Sequence, residues 1–260
     1  MGSLRLNNKV LFIVEGESDE VGFLNQLYKK CFGNREYDIY SYKTNIHTLA
    51  QILFNEYPEF DQDDIDIQLV LKSKEEDEDK RKILAQRYSD VYLIFDFEPQ
   101  HDHTHFDTLM RMITFFNDST DHGKLYINYP MMQSYKHINI LPDDSFSEKY
   151  VTLEQCKEYK KIVGEESAYT DLSKYDYILL ESLAVHHVRK ANRIINGEYG
   201  IPSKEEYIGW HGLDIYSKQM ENLEKEGIVY ILNTCIFMLI DYRPQHFFEK
   251  VCSIHNEFLI

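Results

Sequence analysis

The hydrophobic positions of this chain change their spacing along its length. Lys9–Val14 reads Lys-Val-Leu-Phe-Ile-Val, an unbroken apolar run that predicts a strand buried on both faces. It ends in Glu15-Gly16-Glu17-Ser18-Asp19-Glu20, where Ser18 is a good helix N-cap and acidic residues fill the first turn. Val21, Leu24, Leu27, Tyr28 and Cys31 then recur at helical spacing, and Gly33 suits a helix stop. A short strand is expected at Tyr37–Tyr42, an amphipathic helix at Asn45–Asn55, and a further strand at Ile65–Leu71. Lys72–Arg87 reads as a charged loop or helix. Val91–Phe95 predicts a second buried strand, ending in Asp96-Phe97-Glu98-Pro99. A helix over His105–Phe116 and a strand over Lys124–Asn128 follow.

Alternating strands and helices predict an α/β unit with a mainly parallel sheet. After Pro142 the pattern turns helical: Leu153–Ile162, Tyr175–Ile195, Ile215–Glu224, Ile228–Ile240 and His246–Phe258. The expected organisation is an α/β domain over residues 1–142 and a helical C-terminal region over 143–260, with no internal repeat.

Composition narrows the function classes. The chain has 260 residues, long enough for a full core, and 43% of them are hydrophobic, which excludes wholesale disorder. The longest apolar run lies near Ile236–Ile240, far short of the roughly 20 residues of a spanning helix, so no membrane role is expected. The N-terminus carries no apolar signal segment. Cys31, Cys156, Cys235 and Cys252 form no Cys-x-x-Cys, which points to a reducing, cytoplasmic setting and against structural zinc. Lys plus Arg number 28 against 44 Asp plus Glu, a net charge of −16. That argues against nucleic-acid binding by electrostatics alone. Ten of the acids fall between Glu59 and Asp79, a solvated segment, a contact for a basic partner or a shield over a catalytic groove.

The candidate chemistry lies at the strand ends. In an open parallel sheet, ligands bind outside the carboxyl ends of the strands. Glu15 follows the first buried strand, and Asp96 and Glu98 follow the second. If those strands are neighbours, the three carboxylates converge, and their repulsion calls for a cation. Oxygen ligands suit Mg²⁺ or Mn²⁺, which can polarise a phosphoryl group and activate water. Solvated turn residues are the plainer alternative.

Val14-Glu15-Gly16-Glu17-Ser18-Asp19 resembles the first motif of the TOPRIM domain, found in topoisomerases, primases and several nucleases. Ile94-Phe95-Asp96-Phe97-Glu98 resembles its second motif, a strand ending in Asp-x-Asp, with Glu98 in place of the second Asp. Gly123–Tyr135, with Asn128-Tyr129-Pro130 and Gln133-Ser134-Tyr135, is similar to a segment of TOPRIM-like proteins of phage-defence and abortive-infection systems. Those proteins usually carry Glu where this chain has Gln133, which contributes no negative charge.

The resemblance covers about residues 9–140. It implies a TOPRIM-like, Rossmannoid α/β fold and a Mg²⁺-dependent nuclease cleaving DNA or RNA phosphodiesters, acting as a defence effector or toxin. Glu15, Asp96 and Glu98 would be catalytic and metal-binding, with Asp19 a further metal ligand. It also implies a protein partner such as an ATPase sensor subunit, which would supply the positive charge this chain lacks. The oligomeric state stays open. Gln133 and Glu98 motivate the alternative, a weakly active or inactive TOPRIM-like subunit that binds or regulates. A phosphatase-like enzyme using Asp96 as nucleophile is a third reading, but the Lys and Ser/Thr it needs on later strand ends are not evident.

Basic residues offered for nucleic-acid contact are Lys124, Lys136, Arg189, Lys190 and Arg193; the last three also suit an ordinary helix C-terminus. His101-Asp102-His103-Thr104-His105 places alternate histidines on one side of an extended loop, as a polar loop, a phosphate contact or support for the nearby acids, or a zinc site, which the lack of a nearby cysteine disfavours. The 20 Tyr and 15 Phe fall mostly at helix or strand spacing and are expected to pack the core. No phosphate-binding Gly-x-x-x-x-Gly-Lys-Ser/Thr motif is present, so intrinsic ATPase activity is not expected.

Overall fold

A computed structural model of the chain describes residues 8–33, 35–62, 65–99 and 106–257. His101, His103, His105 and the acidic Asp63 and Asp64 lie outside the described residues. The central sheet has strands β1 (Val10–Val14), β2 (Tyr37–Ser41), β3 (Asp90–Asp96), β4 (Asn117–Asp118) and β5 (Gly123–Asn128), in the order β2-β1-β3-β5-β4. All neighbours are parallel except β4, a two-residue edge strand antiparallel to β5. The five side chains of β1 are completely buried, so both faces of the sheet are covered. On one face Phe12 packs edge-on against Tyr28 and stacks on Tyr92 of β3.

Helices α1 (Asp19–Cys31), α2 (Ile46–Glu56) and α5 (Phe106–Phe115) connect the strands, as the periodicity predicts. Asn45 caps α2 by accepting from the Thr48 N–H at 2.9 Å. Ser18 stands at the start of α1 but its side chain makes no capping bond.

The expected strand at Ile65–Leu71 is instead helical. Helix α3 covers Ile67–Lys74, and α4 covers Glu78–Leu84. Asp66 accepts from the N–H groups of Gln68 (2.8 Å) and Leu69 (3.4 Å), which starts a helical turn. Ile67, Val70 and Leu71 then bury at helical spacing. A short apolar run does not separate strand from helix; the cap decides.

The C-terminal region holds β6 (Tyr150–Thr152), α6 (Leu153–Cys156), α7 (Tyr159–Glu166), α8 (Tyr177–Asn196), α9 (Lys204–Ile208), α10 (Gly212–Glu226), β7 (Ile228–Tyr230), α11 (Met238–Tyr242) and α12 (Pro244–Glu257). The expected helix over Ile228–Ile240 is therefore corrected. Gly227, at φ +69°, ends α10, and Ile228–Tyr230 pairs antiparallel with β6. Leu232 then bridges to Tyr129, and the Asn233 N–H donates to His187 Nδ1 at 3.1 Å. These tertiary partners hold the segment extended, and helix resumes only at Cys235–Phe237 and α11. Buried residues from both halves form one continuous hydrophobic cluster. Among the described residues, no helix is long and apolar enough to cross a membrane.

Candidate active site

Parallel register brings the acidic strand ends together. Val14 of β1 stands opposite Ile94 of β3, and the Glu15 N–H donates to the Ile94 carbonyl at 3.2 Å. Glu15 therefore leaves β1 beside the last residues of β3. Its carboxylate accepts from the Asp96 N–H at 3.2 Å. The Asp96 carboxylate, almost wholly buried, accepts from the Met132 N–H at 2.7 Å.

Glu20, in the first turn of α1, is also buried and completes the acidic group. Gly16 makes room for it: a Cβ at position 16 would lie 2.5 Å from the Glu20 carboxylate. Glu20 is a member that sequence inspection missed. Its place in an ordinary acidic first helix turn gave no sign that it folds back over Gly16.

Burial and crowding raise the proton affinity of the group. Desolvation, and then the charge of Glu98, pushes Glu15 up to about 8. Asp96 is raised well above the carboxylate range by burial, and further by Glu15, Glu20 and Glu98. Burial also raises Glu20. Such neighbouring, upward-shifted acids at the end of a sheet mark a functional-site candidate.

Two backbone conformations at the rim support this. Among the described residues, Lys43 (φ +67°) and Glu98 (φ +43°) are the non-glycine residues at positive φ. Both line the same open depression, with Glu15, Gly16, Glu17, Thr44, Asn45 and Thr48. Positive φ costs a non-glycine residue about 1 kcal/mol or more, so its occurrence twice on one rim reflects local constraint. At Glu98, the preceding Phe97 sets that constraint. Its N–H donates to the Asn128 carbonyl (3.0 Å) and its ring is buried against Tyr129. At Lys43, the N–H donates to the Glu15 carbonyl at 2.9 Å and the ammonium pairs with Glu17 at 2.6 Å.

Asp19 faces other partners. The Gln133 side-chain amide donates to it, and Lys160 of α7 lies 3.5 Å away. Gln133 thus reaches the acidic group, but as a donor. Its Oε1 is buried without a hydrogen-bond partner among the described residues. Lys160, paired with Asp19, and Lys43, paired with Glu17, bring positive charge beside this group, and neither stood out in the sequence.

The basic residues expected to touch nucleic acid are engaged elsewhere. Lys190 is completely buried, and its ammonium donates to the carbonyls of Phe146, Ser147 and Lys149 at 2.6–2.8 Å. A helix-end cation open to a phosphate is thus the wrong reading of Lys190; burial on α8 decided its role. Arg189 pairs with Asp144 and lies over the Tyr199 ring at 4.1 Å, while Arg193 pairs with Glu148 at 2.7 Å. Lys124 pairs with Asp241, and Lys136 lies over the Tyr135 ring.

The donors suit a hard cation, since all are oxygens. Among the described residues, no three His, Cys, Asp or Glu side chains form a ready metal cage. Mg²⁺ does not require one, because it usually keeps several waters and binds through one or two carboxylates plus substrate phosphates. Glu15 and Asp96 fit that demand, with the unpartnered Gln133 Oε1 as a nearby neutral oxygen.

Gln133→Glu would replace the amide donor to Asp19 with a second negative charge. The metal-free variant is expected to be about 1–3 kcal/mol less stable at pH 8, with Mg²⁺ restoring much of the loss. Thermal midpoints with and without Mg²⁺ test this; equal midpoints for variant and wild type would place Gln133 outside the electrostatics of the group. In comparisons of the chain with protein-family models, with curated proteins and with solved structures, nothing matches.

Proposed function

We propose that this chain is a Mg²⁺-dependent nuclease of the TOPRIM type, cleaving phosphodiesters of DNA or RNA. The observation that carries the reading is the contact of Glu15 with the Asp96 N–H at the carboxyl ends of adjacent parallel strands, where burial raises both, the charge of Glu98 adds to Glu15 and the charge of Glu15 adds to Asp96. The parallel sheet and the order of the motif-like segments agree with it. Glu15 and Asp96 would hold the ion, and Glu98 would face the same depression. An ion held there would supply Lewis-acid polarisation of a phosphoryl oxygen and charge neutralisation at the leaving oxygen.

The chain's own residues supply the rest. Where Glu15 does not itself hold the ion, it would accept a proton from attacking water or return one to the leaving oxygen. The Met132 N–H fixes the Asp96 carboxylate. Lys43 and Lys160 are placed to meet phosphate charge once Glu17 and Asp19 release them. With a net charge of −16, productive contact with a polyanion needs added positive charge, and a partner subunit, such as an ATPase sensor of a defence system, is the proposed source.

The test is incubation of the protein with plasmid DNA and with bulk tRNA in Mg²⁺, Mn²⁺ or EDTA, alongside Asp96→Asn. Asn keeps an oxygen for the Met132 N–H and removes the charge. Cleavage in Mg²⁺ or Mn²⁺, lost in EDTA and in the variant, is the expected result. A metal-independent cleavage, or full activity of the variant, would overturn the reading.

One observation favours a second reading, a TOPRIM-like binding or regulatory subunit. Gln133 already donates a hydrogen bond to Asp19, and Lys160 pairs with it, from within the protein. Mg²⁺ binding without cleavage of either substrate would support that role.

A further inference from the structure

A second site lies on the far edge of the sheet, away from the carboxylates. A cavity of about 320 Å³ opens where β5 passes beyond the two residues of β4. That is the lower end of the range for small-molecule pockets, about 300–1,000 Å³. Its walls are aromatic and aliphatic, with Tyr207, Trp210 and Phe237 among residues from α9 to α11 and Ile113 and Phe116 at the end of α5.

The edge of β5 in this cavity carries free backbone groups. In a parallel strand, alternate residues direct both their N–H and C=O to the same side. The Leu125 N–H donates outward to the Phe116 carbonyl at 2.9 Å, and the Ile127 carbonyl accepts outward from the Thr234 hydroxyl at 2.9 Å. Two residues on, Tyr129 exchanges both its backbone bonds with Leu232. Between these anchors remain the Leu125 carbonyl and the Ile127 N–H. Both residues line the cavity, and β4, which pairs with Gly123 and Lys124 of β5, reaches neither group. Buried backbone groups are rarely left without partners, so this pair calls for an outside one.

We infer that this cavity binds a nucleobase, held edge-on by the Leu125 carbonyl and the Ile127 N–H. An acceptor followed by a donor along one strand edge matches a flat heterocycle with an amino donor beside a ring-nitrogen acceptor, the edge shared by adenine and cytosine. The aromatic and aliphatic walls suit its faces. The base would come as a nucleoside rather than a nucleotide. Lys124 in the wall is already paired with Asp241, which also accepts from the Tyr126 and Tyr207 hydroxyls. This site is independent of the carboxylate chemistry.

Trp210 is the chain's one tryptophan, so its emission reports on the cavity directly. The full-length protein is titrated with adenosine, with cytidine and with N6,N6-dimethyladenosine, which lacks the amino donor. A saturable change with adenosine or cytidine is expected, and the comparison of the two selects the base. The dimethyl analogue should bind at least tenfold more weakly than adenosine, because the Leu125 carbonyl then meets a methyl group in place of an N–H. A matching rise in thermal midpoint with the bound nucleoside is expected, since a ligand of the folded state stabilises it. No saturable change with either nucleoside, or equal binding of the dimethyl analogue and adenosine, would overturn the inference. Neither outcome depends on nuclease activity.

Discussion

Glu15→Gln is expected to raise the thermal midpoint of the metal-free protein by about 5–10 °C at pH 8.5 and to leave it nearly unchanged at pH 5. The sign follows from the direction of the shift. Glu15 is raised from 4.5 to about 8 in the folded chain, so the folded state binds its proton more tightly than the unfolded state. The stability tied to that proton is fully present below pH 4.5 and is lost as pH rises through about 8. A glutamine stays neutral, keeps an oxygen for the Asp96 N–H, and loses nothing over that window. The full shift corresponds to a few kcal/mol, shared with the other acids of the group.

Mg²⁺ should reverse the comparison. Ion binding requires the deprotonated carboxylate, so wild type should gain stability from Mg²⁺ at pH 8.5 and the variant should gain little. On the nuclease reading, the same substitution removes cleavage and any cellular toxicity. Differential scanning calorimetry across pH 5–8.5, with and without Mg²⁺, measures the stability arm. Parallel curves for the two proteins at every pH would show that Glu15 does not carry the repulsion assigned to it.

Lys190→Met should be among the most damaging single changes away from the site, at about 3–5 kcal/mol. Three carbonyls of the Phe146–Lys149 turn accept from one ammonium, which also lies over the Tyr230 ring at 4.7 Å and the Phe146 ring at 5.3 Å. Methionine fills similar space and donates nothing, leaving the three carbonyls without that donor. Burial pushes Lys190 down to about 6, against the charge of Glu148, which favours the charged form. A lysine depressed on folding contributes stability that is present above its unfolded value of about 10.5 and is lost as pH falls through about 6. The gap between wild type and variant should therefore be wider at pH 9 than at pH 6. Urea unfolding at the two pH values reads both effects; a loss under 1 kcal/mol at both would show that the turn finds other donors.

The carboxylate pair was legible in the sequence because two local signals fell in the right order. Each buried apolar run, Val10–Val14 and Val91–Phe95, ends abruptly in acid, and runs buried on both faces belong in the middle of a parallel sheet. Adjacent parallel strands share their carboxyl ends, so Glu15 and Asp96 had to meet once β1 and β3 were neighbours. The helices with a clear apolar stripe, α1, α2, α5, α8 and α10, were legible for the same reason: their period is carried by the residues themselves.

Tertiary structure decided the features whose local signals are ambiguous. Ile65–Leu71 and Ile228–Ile240 are short apolar stretches that fit either strand or helix; a side-chain cap from Asp66 settled the first, and pairing with β6 and Tyr129 settled the second. The fate of each cation was equally hidden. Sequence places Lys190 on a helix beside Arg189 and Arg193, yet only packing determines that its ammonium points into the Phe146–Lys149 turn while its neighbours pair with Asp144 and Glu148. Glu20 and Lys160 entered the acidic group for the same reason. A side chain's partners depend on what the fold brings within about 4 Å, and for residues 114 or 141 positions apart, such as Asp19 with Gln133 and with Lys160, no local pattern records that approach.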